Sequence, residues 1–204
     1  MILNLCCIVE GHGEKSAVPI LMRRILQSLC ADLQLNLPGP IRVSRYKIVK
    51  PNELERAVEL AARLLAPPRA ILILMDADDD PPCILGPDLL RRAKQTRPDV
   101  PVGVVLANRE FETWFLAAIE SLGGRRGIPR DVSPLDDVES IHAKRRLEKI
   151  MPVYSPVLDQ PALTAQFNMN LARSRSDSFD KCWREIERLL TQAVGAIEED
   201  SAPQ

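Results

Sequence analysis

Ile71-Leu72-Ile73-Leu74-Met75 runs straight into Asp76-Ala77-Asp78-Asp79-Asp80, and this switch constrains the fold more than any other stretch. Five unbroken apolar residues, entered through Pro67-Pro68, are too few for an independent helix. They suit a strand buried on both faces of a parallel sheet. Four aspartates then fall in five positions before Pro81-Pro82. In an extended chain alternate side chains share a face, so Asp76 and Asp78 are expected to point the same way, about 7 Å apart. Ligands of open α/β sheets collect beyond the carboxyl ends of the strands. Crowded carboxylates repel, and a divalent cation is the natural way to hold them ionised. The plainer alternative is a solvated acidic turn, so the stretch needs a second acidic group before it counts as a site.

The rest of the chain supplies a frame for such a strand. Residues 2–9 read as the first strand, emptying into Glu10-Gly11-His12-Gly13-Glu14-Lys15-Ser16, where two glycines permit a tight turn. Val18, Leu21, Met22, Ile25, Leu29 and Leu33 follow at helical spacing, and Pro19 places the helix start near Ser16. Ile41 to Ile48 is a second strand candidate. Asn52 with Glu55 is a capping signature ahead of the face Leu54, Ala57, Val58, Ala61, Leu64 and Leu65. Asp88 to Arg97 reads as a helix, Val102 to Ala107 as a fourth buried strand. Phe111, Trp114, Phe115, Ala118, Ile119 and Leu122 form a further helical stripe. Four strand–helix alternations predict an α/β fold: a mostly parallel four-stranded sheet with helices on both faces over residues 1–122.

After Gly123-Gly124 the pattern turns helical. A helix is expected over 136–150, then a proline-broken segment from Pro152 to Pro161, then a helix carrying Phe179, Cys182, Trp183, Ile186, Leu189 and Leu190. Residues 125–195 thus read as a helical extension packed on the sheet domain, and 196–204 as a disordered tail.

Composition narrows the function classes. A net charge of −1 excludes gripping nucleic acid by bulk electrostatics alone, so local basic clusters, a metal or a partner must help. No apolar run approaches the ~20 residues of a membrane span, and no basic segment precedes the first strand as in a signal peptide. Five cysteines, odd in number and mostly in apolar patterns, point to reduced thiols and a cytoplasmic protein. With no C-x-x-C pair and only His12 and His142, the ligand spacing of a zinc site is missing. Gly11-x-Gly13-x-Lys15-Ser16 departs from a phosphate loop, having too few residues between its glycines and Glu14 before the lysine.

Glu10 ends strand one as Asp76 ends strand three, and the two strands can be neighbours. Glu10, Asp76 and Asp78 would then share one edge, with Glu14 in the first helical turn hanging over it. This is the second acidic group.

With these residues in view, Val9-Glu10-Gly11 and Asp76-Ala77-Asp78 resemble the two signatures of the Toprim (topoisomerase–primase) domain. Glu10-Gly11-x-x-Glu14 is similar to the variant in OLD-type nucleases and RloB-like proteins. Asn108-Arg109-Glu110-Phe111-Glu112-Thr113-Trp114, Tyr154-x-Pro156-x-x-Asp159-Gln160 and Ser178-Phe179 look like further pieces of that branch. The resemblance implies a Toprim-like (Rossmann-like) sheet and a Mg²⁺ or Mn²⁺ site. Glu10, as metal ligand or proton shuttle, and Asp76 and Asp78, as metal ligands, would be its catalytic residues, and Glu14 and Glu112 are further candidate ligands beside them. It also implies phosphodiester cleavage of nucleic acid, DNA or RNA, with an ATPase as candidate partner; a homodimer stays open. Two departures matter. Asp79-Asp80-Pro81 stands where a glycine often follows Asp-x-Asp, and Gly13 replaces the usual threonine.

Each residue also has a bland reading. Glu112 either faces the metal or complements the positive end of its helix. Arg125, Arg126, Lys144, Arg145, Arg173 and Arg175 either bind phosphates or form exposed faces. Lys15, Arg109, Lys144 and Arg173 are candidates for a catalytic cation. Trp114 and Trp183 read as core, and His12 as a turn residue. The leading reading is a metal-dependent nuclease; the alternative is a catalytically silent Toprim-like interaction module in an ATPase-containing system.

Overall fold

β4 (Arg69–Asp76) lies in the middle of the sheet, and every residue from Ala70 to Met75 is buried. Its neighbours are β1 (Ile2–Val9) and β5 (Val102–Ala107), both parallel to it, Val9 standing opposite Leu74 and Asp76 opposite Ala107. The structure, a computed structural model, describes residues 2–200, the backbone alone at 194 and 196–200. The expected tail over 196–204 lies outside the described residues, save that the backbone of the last helix is drawn to Asp200.

The sheet has five strands, not four, in the order β2-β1-β4-β5 with β3 also on β1, and all its pairings are parallel. The expected second strand over 41–48 is where the difference arises. β2 (Gln34–Asn36) pairs with the start of β1, and β3 (Ile41–Arg42) with its end. Pro38 and Pro40 fall between them, and prolines cannot donate to a ladder, so the edge is interrupted. From Arg45 to Ile48 the chain is a short helix, α2.

Helices cover both faces. On one, α3 (Glu53–Leu64) and α4 (Pro82–Thr96) pack against Cys6, Ile8, Ile71, Ile73, Met75, Val102, Val104 and Leu106. On the other, α1 (Glu14–Leu29) and the C-terminal helices pack against Leu3, Leu5, Cys7, Val9, Leu72, Leu74 and Val105. Because strand side chains alternate, β1, β4 and β5 each feed both cores, which is why these three read as continuous apolar runs. The architecture is a Rossmann-like α/β sheet with a C-terminal helical region.

Several boundaries differ from the sequence reading. α1 starts at Glu14 rather than Ser16, leaving Pro19 inside it. α4 starts at Pro82 rather than Asp88, because a proline fits a first helical position where no amide bond is needed. Asn52 precedes α3 as expected but makes no side-chain cap bond, and Glu55 is held instead by Arg92 at 2.8 Å. The aromatic stripe is buried but helical only over α5 (Thr113–Leu116) and a 3₁₀ turn, Ile119–Leu122. The expected 136–150 helix is a 3₁₀ turn, Val138–Ser140, followed by α6 (Ala143–Ile150).

The proline-rich segment after α6 forms α7 (Pro156–Thr164), with Pro156 in its first turn. After α7 come α8 (Met169–Arg175) and α9 (Asp177–Asp200). α9 lies along β5, where the Arg188 guanidinium donates to the Val102 carbonyl at 2.8 Å and covers that sheet edge. Among the described residues no helix is long and apolar enough to cross a membrane.

Candidate functional site

β1 and β4 are neighbours, so the chain leaves the sheet at Glu10 and just after Asp76 side by side. Glu14, 4% exposed, turns its carboxylate back over the first turn, and its Oε2 accepts from the Glu10 and Gly11 amides at 3.0 Å each. A carboxylate satisfying the loop amides is why α1 begins two residues early. It also gives Glu14 a structural task instead of an open position above the site. Gly13 is needed here for close approach. A Cβ on it would fall 2.5 Å from the Pro156 carbonyl oxygen and closer still to the Gln160 amide. Gly13→Ala is therefore expected to push α7 off α1 at a cost of about 1–3 kcal/mol, read as a lower urea midpoint. An unchanged midpoint would mean α7 does not press on this turn.

Asp76 Oδ1 accepts from the Phe111 amide at 2.7 Å, fastening the end of β4 to the turn after β5; Oδ2 has no partner among the described residues. Asp78 departs from the expectation that it shares a face with Asp76. The strand stops at Asp76, and Asp78 has φ +50°, so the two-residue alternation no longer holds. Its amide donates to the Arg109 carbonyl at 2.9 Å, and Arg109 itself has φ +35°. Left-handed backbone is unusual for both residue types together, and such positions persist where the surroundings fix them, often at functional sites.

The acids form one electrostatic cluster. Burial pushes the Asp76 carboxyl well above its ordinary value, and Glu14, Glu112, Glu10 and Asp78 add repulsion. Burial raises Glu14 to about 7. Glu10 is raised by burial and then by Asp78, against the opposing pull of Arg45. Glu10 Oε2 is buried without a hydrogen-bond partner. Glu112, 3% exposed, directly precedes α5 without capping it, its Oε1 accepting from the Tyr154 hydroxyl at 2.7 Å and the Gln160 amide at 3.1 Å.

The motif segments of the C-terminal half meet in this same network. Trp114 is fully buried, donates to the Ser178 hydroxyl at 3.0 Å and stacks edge-on with Phe179. Asp159, 2% exposed, takes the Ser155 amide and Arg126. Glu139 accepts from Asn108, Ser176 and the Ser178 amide. These residues lock the helical region to the strand ends. His12 is exposed in its turn, and Trp183 is core.

Of the six basic residues expected to hold nucleic acid, four are engaged within the chain. Arg125 donates to Gln166, Arg126 pairs with Asp159, Arg173 pairs with Asp180 over the Trp183 ring, and Arg175 pairs with Glu120. Lys144 and Arg145 remain exposed at the start of α6. There Glu110 accepts the Lys144 amide at 2.7 Å. Beside them opens a cleft of about 330 Å³ lined by Asp78, Asp79, Arg109, Glu110 and His142, with Arg109 Nη1 3.2 Å from His142 Nε2. Arg109 and His142 thus face the acids Asp78 and Asp79 across this cleft.

Arg45 is the site residue that sequence reasoning missed. Its guanidinium donates to the Asp76 and Ala77 carbonyls and to Asp80, and lies 3.4 Å from Asp78 Oδ2. The available signal was Ser44, a residue type that favours helix starts and precedes α2 directly before Arg45.

The donor chemistry fits a hard divalent cation. It is all oxygen, with unpartnered atoms on Glu10 and Asp76, and Mg²⁺ is held by one or two carboxylates plus waters and substrate phosphate. The set is not closed, however. Among the described residues no three His, Cys, Asp or Glu side chains converge as a ready metal cage.

The family model described as "Domain of unknown function (DUF4276)" matches residues 9–187. No curated protein and no solved structure matches the chain.

Proposed function

The chain belongs to the DUF4276 family, and from its site we propose that it is a Mg²⁺- or Mn²⁺-dependent nuclease acting beside an ATPase, the partner that the Toprim resemblance implies. The observation that carries this reading is the buried, unpartnered Glu10 Oε2 at the end of β1, next to the raised Asp76 carboxyl at the end of β4. A carboxylate oxygen buried without a partner is unfavourable while ionised, and a cation or a proton relieves it.

Glu10 and Asp76 would hold the ion, with Asp78 within the same cluster. Bound there, the ion would stabilise charge on a phosphate and acidify a water. The chain's own part is positioning. Arg109 and His142 would take phosphate oxygens in the cleft, Lys144 and Arg145 would hold the flanking backbone, and Glu10 would accept a proton where it does not ligate. With a net charge of −1, such a local grip would supplement the metal and the partner.

A second reading, a catalytically silent interaction module, is favoured by the unclosed ligand set and by Arg45 sitting among the acids. A panel of single- and double-stranded DNA and RNA, incubated with Mn²⁺ or EDTA and with or without a co-purifying ATPase, decides between them. Cleavage with Mn²⁺ that EDTA abolishes is expected. Cleavage indifferent to EDTA would remove the metal mechanism, and no cleavage in any arm would leave the interaction module.

A further inference from the structure

We propose that Arg45 is the resident counter-cation of the acidic strand ends, a positioning residue that sets how tightly the site takes a divalent cation. The inference rests on the metal reading above. Its ground is the placement of one side chain. The Arg45 guanidinium, 18% exposed, bridges the Asp76 and Ala77 carbonyls, the Asp80 carboxylate and Asp78 Oδ2. It therefore fastens the loop after β4 from the β3–α2 side. The left-handed turn at Asp78 completes the arrangement and draws that carboxylate toward the arginine.

Two consequences follow from charge and geometry. A fixed positive charge beside Glu10, Asp76 and Asp78 offsets their mutual repulsion without metal, so the fold does not depend on a bound ion. The same charge opposes a divalent cation and withholds Asp78, which accounts for the unclosed ligand set. Binding the ion then means loosening or displacing the guanidinium. The freed arginine, with five donors in a planar fork, would be available to a phosphate oxygen. Other cations facing the site are Arg42, which acts on Glu10, and Arg109, 3.7 Å from Asp79. Among the described residues Asp78 pairs with neither of them.

The test is titration calorimetry of the full chain with MnCl₂ alone at fixed ionic strength, comparing wild type with Arg45→Met, Arg45→Gln and Arg45→Lys. Melting curves in EDTA establish that each is folded. A neutral side chain removes the competing charge, so Arg45→Met and Arg45→Gln are each expected to bind Mn²⁺ at least about tenfold more tightly. Arg45→Lys, which keeps the charge but not the fork, is expected to stay within about threefold of wild type. Arg45→Gln retains a donor for the loop carbonyls, so it decides the matter if Arg45→Met does not fold. Wild-type binding with neutral variants that bind equally or more weakly would overturn the counter-cation role and leave the metal reading standing. Lys and neutral variants tightening alike would also overturn it, because the fork rather than the charge would then matter. No Mn²⁺ binding by any of the four proteins would overturn both.

Discussion

Asp76→Asn is expected to lower metal-dependent cleavage by at least about two orders of magnitude, the usual size for a positioned charge-stabilising or acid–base group. Yet in EDTA it should melt at or above wild type. The two halves of this expectation have different causes. An asparagine oxygen can still accept the Phe111 amide, so the tie between β4 and the turn after β5 survives. What disappears is a crowded charge, raised by burial and by Glu14, Glu112, Glu10 and Asp78. Relief of that repulsion favours the folded chain, while loss of the charge removes the cation's strongest holder. Glu10→Gln should cost cleavage similarly. Steady-state rates with Mn²⁺ and melting curves in EDTA read the two halves separately. An Asp76→Asn protein of normal rate would sink the site. One that merely unfolds would show that Asp76 is a structural acid.

The second large effect is on stability against pH. Unfolded, Glu14 titrates near 4.5; folded, burial raises it to about 7. Between these values the folded chain holds a proton that the unfolded chain has released. Metal-free stability therefore falls as pH rises from about 4.5 to about 7 and stays low above that, by on the order of 3 kcal/mol for Glu14 alone. Asp76 acts in the same direction. Urea unfolding in EDTA is expected to give a clearly lower midpoint at pH 7.5 than at pH 5. Glu14→Gln should flatten this difference, because its amide oxygen still accepts the Glu10 and Gly11 amides without carrying a charge. Mn²⁺ should restore much of the loss at pH 7.5 by binding the folded form only. A wild type equally stable at both values, or firmer at pH 7.5, would show that burial does not raise these carboxyls in the folded chain.

Particular residues show how far the chain could be read unaided. The strands β1, β4 and β5 were legible because each is buried on both faces and so carries an unbroken apolar run. The edge was not: β2 and β3 are short, half-exposed and split by prolines, so no apolar run marks them. The aromatic stripe from Phe111 to Leu122 was legible as buried surface but not as broken helix. Burial depends on side-chain type, while the break depends on tertiary bonds such as that from Phe111 to Asp76.

The acids divide in the same way. Glu10 and Asp76 could be placed at strand ends by counting along two apolar runs, a local property of the chain, while the pairing of the two strands is a tertiary fact. Glu14 and Glu112 could be named but not oriented, since their bonds to loop amides, Tyr154 and Gln160 are made only when distant segments pack. The arginines of the C-terminal half looked like a basic surface, because a sequence records their charge but not the acids that they meet. Sequence by itself determined the α/β class, the central strands and the acidic strand ends, all set by patterns within ten or so residues. Only the tertiary structure decided which carboxylates are free and which are held. That choice depends on partners such as Arg45, which is 31 residues from Asp76 along the chain yet bonded to its carbonyl in space.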